Sequence, residues 1–159
     1  MSNFNPENIF DEFSENIPQA HQHAETYLSA IAKYAKEAQV PVGADITEEQ
    51  VGGGFRSERA LFLVLTPTEK RLRRYPSYHY GRSVGTTLNV GWYLVGKIAS
   101  EGLGGWAIAG GATQRDMDDL GTLIRVVHET SVGPAMHEVA SASGFAPGGD
   151  RPRQGFFGA

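Results

Sequence analysis

The sequence predicts an α+β fold: N-terminal helices, a central antiparallel sheet of three to five strands, C-terminal helices and an extended Gly/Pro arm. Three observations carry that expectation. Apolar residues recur at helical spacing in residues 19–38 and again after residue 113, whereas from about 45 to 110 the period becomes that of strands. The strand-like segments stand too close together for the helical crossovers that parallel strands need. The helices are therefore expected on one face of an antiparallel sheet.

Taken in order, residues 6–17 place Ile9, Phe10, Phe13 and Ile17 at helical spacing. Asn5 is placed to cap and Pro6 suits a first turn, so a short helix is expected there. Ala20, Ala24, Tyr27, Leu28, Ile31, Ala35 and Ala38 form one apolar stripe, a second helix that Pro41 and Gly43 would stop. Residues 58–66 are a continuous apolar run, read as a central strand. Residues 84–95 alternate, with Val84, Thr86, Leu88, Val90, Trp92 and Leu94 on one face. They read as one long strand, bent or bulged at Gly85 or Gly91. Residues 105–109 are a shorter candidate strand. Residues 70–74 are another, lying between turn signals at Pro67 and Pro76. Thr113 is a good N-cap for a helix to about residue 130, with Asp116, Asp118 and Asp119 in its first turns and Met117, Leu120, Leu123, Ile124 and Val127 as its buried stripe. Gly133 and Pro134 read as a break before a short helix over 134–142. A single α+β domain is expected over 1–144, with 1–18 open to a reading as a separate helical arm. Residues 145–159 are expected to be an extended C-terminal arm.

Composition narrows the class. The chain has 159 residues, 40% hydrophobic and 20% charged, which suits one globular domain. No apolar run approaches about 18 residues, so no membrane span is expected. The first residues lack a secretory pattern, so the expected location is cytoplasmic or within a soluble assembly. Cysteine is absent, which excludes disulfides, Cys-ligated zinc, iron–sulfur clusters and thiol catalysis.

No motif for chemistry stands in the context it requires. The histidines His21, His23, His79, His128 and His137 show no zincin spacing, and Asp116, Asp118 and Asp119 lack the calcium-loop pattern. The glycines at 52–54 and 102–111 match neither phosphate-loop signature. Residues 81–85 (GRSVG) spell G-x-S-x-G, but a nucleophile elbow needs a strand-to-helix turn, and these residues run on into the alternating, strand-like stretch 84–95, so no elbow is expected. No catalytic residue, metal site or cofactor is assigned.

Two segments stand out. Residues 70–82 hold five cations (Lys70, Arg71, Arg73, Arg74, Arg82) and no acid, interleaved with Tyr75, Tyr78, His79 and Tyr80. Residues 1–50 hold nine acids against two lysines. Such segregation speaks to association. Candidate binding residues are Arg71, Arg73, Arg74, Tyr78, His79 and Arg82, facing protein, nucleic acid or solvent. Cations and aromatics together suit a nucleic-acid platform. The net charge of −4 argues against a dedicated one. In the arm, Phe156 and Phe157 are candidate apolar anchors, and Arg151 and Arg153 polar ones, for docking on self or on a partner.

The stretch LFLVLTPTEKRL, residues 61–72, resembles a strand–turn–strand unit of bacterial pleckstrin-like domains. That resemblance implies an alternative fold, a pleckstrin-like barrel with added helices. The functional expectation is a non-enzymatic, protein-binding or assembly subunit of an oligomer or larger complex, with a homo-oligomer favoured. The alternative is a small-molecule, nucleotide or nucleic-acid binding domain, or an enzyme, using segment 70–82.

Overall fold

Five strands and three helices account for most of the residues described by the computed structural model, which are 4–51, 58–96 and 113–144. A 3-10 turn, Pro6–Asn8, leads into β1 (Ile9–Ile17), α1 (Ala24–Glu37), β2 (Val42–Val51) and β3 (Glu58–Pro67). Then come β4 (Ser77–Val84), β5 (Thr87–Val95), α2 (Gln114–Val127), a π turn (His128–Val132) and α3 (Gly133–Ala142). The strands form one open sheet in the order β1-β5-β4-β3-β2, antiparallel throughout. The expected α+β class with an antiparallel sheet is therefore present. The sheet does not close into a barrel, because β1 and β2 are its two edges.

All three helices contribute to one core with the sheet. Tyr27, Leu28 and Ile31 of α1, Leu120, Ile124 and Val127 of α2, and Ala135 and Val139 of α3 meet Phe13, Ile17, Leu63, Leu65, Leu88, Val90, Trp92 and Leu94. Of the residues expected to be buried, Leu61, Met117 and Leu123 are only half-buried.

The N-terminal segment corrects the sequence reading. Asn5 does cap, its Oδ1 accepting from the Glu7 N–H at 3.0 Å, but the helix ends after Pro6–Asn8. Residues 9–17 are a sheet strand, not a separate helical arm. The apolar spacing misled because a register shift between Ile9 and Asp11 reverses the strand's parity, so that Phe10 rather than Ile9 shares the face of Phe13 and Ile17. Ile9 then turns to the helix-free side, Phe10 packs edge-on against Tyr75, and Phe13 and Ile17 face the core opposite Trp92 and Leu88.

The long strand expected over 84–95 is instead the turn and second arm of a hairpin. Val84 pairs with Thr87 across Gly85 and Thr86, and Gly85 has φ +60°. Glycine adopts that angle freely, as a two-residue hairpin loop needs. The turn reverses side-chain parity, so Val84 points away from the core that Leu88 enters. Residues 70–74 are a turn rather than a strand, with Leu72 buried. The expected strand at 105–109 lies outside the described residues.

α1 starts later than its apolar stripe and stops before Pro41. Gln39 takes φ +55°, and the Val40 N–H bonds back to the Ala35 carbonyl at 3.0 Å, which closes the helix. Thr113 caps α2 as expected: its hydroxyl accepts from the Asp116 N–H while Asp116 accepts from the Thr113 N–H, a reciprocal capping box. Gly133 and Pro134 do not interrupt the helical chain, because the π turn joins α2 directly to α3. A regular turn would drive the Pro134 ring against a preceding carbonyl. The wider π turn avoids this, with the Gly133 N–H bonding to the His128 carbonyl.

Candidate functional site

The sheet has two unlike faces. One carries the helices. On the other, the hairpin's reversed parity collects Tyr78 and Tyr80 of β4 with Tyr93 of β5, and Tyr78 pairs directly with Tyr93. Phe62 of β3 joins them, and Phe4, ahead of the 3-10 turn, lies over the group. Its ring centroid is 5.2 Å from Phe62, 5.1 Å from Tyr78 and 5.9 Å from Tyr93. Tyr80 and Tyr93 stack at 5.0 Å. Gly91 makes room for this arrangement. A Cβ there would lie 2.1 Å from the Phe13 carbonyl oxygen and 2.5 Å from the Tyr80 hydroxyl. Burial raises the Tyr78 hydroxyl pKa, and the nearby Glu49 adds to it. Burial likewise raises that of Tyr80.

Glu49 reaches this face from β2. It is 2% exposed. Its Oε1 accepts from the Thr47 hydroxyl at 3.3 Å, and its Oε2 has no hydrogen-bond partner among the described residues. Buried polar atoms are rarely left so, because the lost hydration is not replaced.

On the helix side, His79 is wholly buried, with Nε2 2.9 Å from the Ser77 hydroxyl and Nδ1 without a partner among the described residues. Burial drives its pKa down to about 3, and the neighbouring His128 adds to the shift. His128, in the π turn, packs edge-on to Phe13 at 4.8 Å and lies 3.5 Å from the Trp92 Nε1 donor. Its own pKa is lowered by burial. Ser77 and His79 are sealed in the core, so this pair offers no route for a substrate.

The six candidate binding residues do not share one surface. Arg71 sits in the β3–β4 turn and pairs with Glu69 and, on α2, with Asp116 and Asp119, the last at 3.1 Å. It therefore ties the turn to the helix. The Thr113 backbone N–H holds the Asp116 carboxyl below its ordinary range, with the Thr113 hydroxyl and Arg71 assisting. The Arg73 Nε donates to the Thr68 carbonyl at 3.2 Å, and the Arg74 guanidinium lies 5.9 Å from the Tyr75 ring centroid. Tyr78 and Arg82 point to the helix-free face, and His79 to the core. Arg151, Arg153, Phe156 and Phe157 lie outside the described residues, as do the glycines at 52–54 and 102–111. Among the described residues no three metal-ligating side chains cluster.

Sequence reasoning missed Glu49, Tyr93 and Phe4, and with them the aromatic face. The signal available was the alternation of Tyr78 and Tyr80, whose partner strand depended on the unrecognised hairpin. No family model, curated protein or solved structure matches this chain. No helix among the described residues is long and apolar enough to cross a membrane.

Proposed function

We propose that the chain is a non-enzymatic, protein-binding or assembly subunit of an oligomer or larger complex. The observation that carries this reading is β2, a ten-residue edge strand whose register with β3 is unbroken. A long, regular edge is a template for another chain, and proteins that stay alone usually blunt it. Ile46 in its middle is 55% exposed. Native mass spectrometry of the purified chain tests the reading. A defined multimer, or a stoichiometric complex with a co-purifying protein, is the expected result. A 17.2 kDa monomer at every concentration, with no partner recovered, would overturn it.

A second reading has one observation in its favour. Tyr80 and Tyr93 are stacked and half-buried on the face that also carries exposed Arg82. Rings beside a cation suit a nucleotide, whose base stacks on the rings while its phosphate meets the guanidinium. Salt-dependent binding of a labelled oligonucleotide, lost in Arg82→Glu, would favour this reading over the first.

A further inference from the structure

The two sheet edges are protected to different degrees. At β1 the register shifts between Ile9 and Asp11, and the Asn89 side chain reaches across to the Asn16 side chain at 2.9 Å. A bulge of this kind discourages a further strand. β2 has no such interruption and contains no proline, lysine or arginine. Alternate residues of an edge direct their N–H and C=O groups away from the sheet. Residues 43–49 make no backbone hydrogen bond to any described residue outside β3.

Side chains on β2 specify what fits there. Ile46 pairs with Leu63 and so points to the helix side, yet the helices leave it 55% exposed. Glu48 shares that face. Its nearest cation, Arg59, is 3.7 Å away, and both side chains are largely exposed. Asp45 and Glu49 lie on the opposite face, where the Glu49 Oε2 has no donor among the described residues. The edge therefore combines backbone groups without a described partner, one bare apolar residue, two exposed acids (Asp45 and Glu48) and the buried Glu49.

We infer that β2 receives a basic, extended peptide segment of a partner protein, added antiparallel to the sheet edge. This inference rests on the protein-binding reading above and names the chemistry of the partner. Register sets its pattern. With an apolar residue opposite Ile46, the residue two before it faces Glu48, the one three before it faces Glu49, and the one after it faces Asp45. Cations at those places give basic–basic–any–apolar–basic. Main-chain hydrogen bonds then supply attachment and the alternating side chains supply selectivity. A second copy of this chain suits the edge poorly. Antiparallel pairing of two β2 strands would gather six acids and no base, and like charges across strands repel.

Fluorescence anisotropy with the full chain tests the inference. The probe is a labelled, end-blocked heptapeptide, Thr-Lys-Lys-Thr-Val-Lys-Thr. Saturable one-to-one binding is expected, weakened at least tenfold in the double variant D45K/E48K. A peptide with alternate backbone amides N-methylated should bind at least tenfold more weakly, and so should a scrambled peptide of the same composition. Equal binding of the scrambled or methylated peptides would mean charge attraction alone and would overturn strand addition. So would indifference to D45K/E48K. If native mass spectrometry shows complexes that D45K/E48K leaves intact while the peptide fails to bind, the inference falls and the assembly reading stands. A partnerless monomer removes the assembly reading itself.

Discussion

Acidification should destabilise this protein through His79 in a pH window set by its burial. The imidazole sits at 0% exposure among Leu63, Trp92 and Ser77. Ser77 can satisfy one ring nitrogen, and the other has no partner among the described residues. A second ring proton would therefore place a bare charge in the core. His128 faces the same space and also resists protonation, so it offers no compensation. The folded-state pKa is near 3 against an ordinary value of 6.5. Above pH 7.5 both states are neutral and His79 contributes nothing to pH dependence. As pH falls below 6.5 the unfolded chain binds the proton and the folded chain does not, so stability declines until the folded pKa is reached. Between pH 7.5 and pH 5 the linkage gives a loss of roughly 2 kcal/mol from His79 alone. Urea unfolding at the two pH values measures it, with His79→Leu as the comparison. The variant keeps His128 and every carboxylate, so those contributions cancel, and its loss should be smaller by about that amount. If wild type and variant lose equal stability, the argument from burial is wrong. Should the variant fail to fold, NMR of the wild type decides: the His79 ring must not titrate between pH 8 and pH 5.

Other perturbations follow from particular contacts. Leu63→Ala, at a site 1% exposed between sheet and helices, should cost roughly 2–5 kcal/mol in chemical denaturation. Gly91→Ala should cost roughly 3 kcal/mol, because its Cβ would strike the Phe13 carbonyl and the Tyr80 ring. Loss of the Tyr80–Tyr93 contact in near-ultraviolet circular dichroism would accompany that change. Gln39→Gly should raise stability by about 0.5–1 kcal/mol, since glycine relieves the positive φ that closes α1. A lower urea midpoint for that variant would contradict the reading of the cap.

Much of the architecture was legible in the sequence, for reasons that are local. The continuous run 58–66 marked β3, whose ladder extends one residue further to Pro67. The stripe Leu120, Ile124 and Val127 marked the buried face of α2, and Thr113 its start. These signals survive because a cap or a buried stripe is decided by residues a few positions apart. The charge asymmetry was also legible, and it shapes the functional proposal. β1 was not, since Ile9, Phe10, Phe13 and Ile17 satisfy a helix as well as a bulged strand. Only the free edge of β5 decided between them, by offering a ladder opposite Trp92 and Leu88.

Amino-acid order alone determined which segments are apolar, where α2 begins and which regions are acidic or basic, because those properties belong to residues and near neighbours. Tertiary structure decided everything that depends on parity and neighbours across the sheet. It buried His79 while turning Tyr78 and Arg82 to the other face, placed Phe4 over Phe62, and left β2 as the uninterrupted edge with Glu49 unsatisfied. The physical reason is that a strand's side chains alternate. One two-residue turn at Gly85 and Thr86 and one register shift near Phe10 therefore reassign whole strands between core and surface.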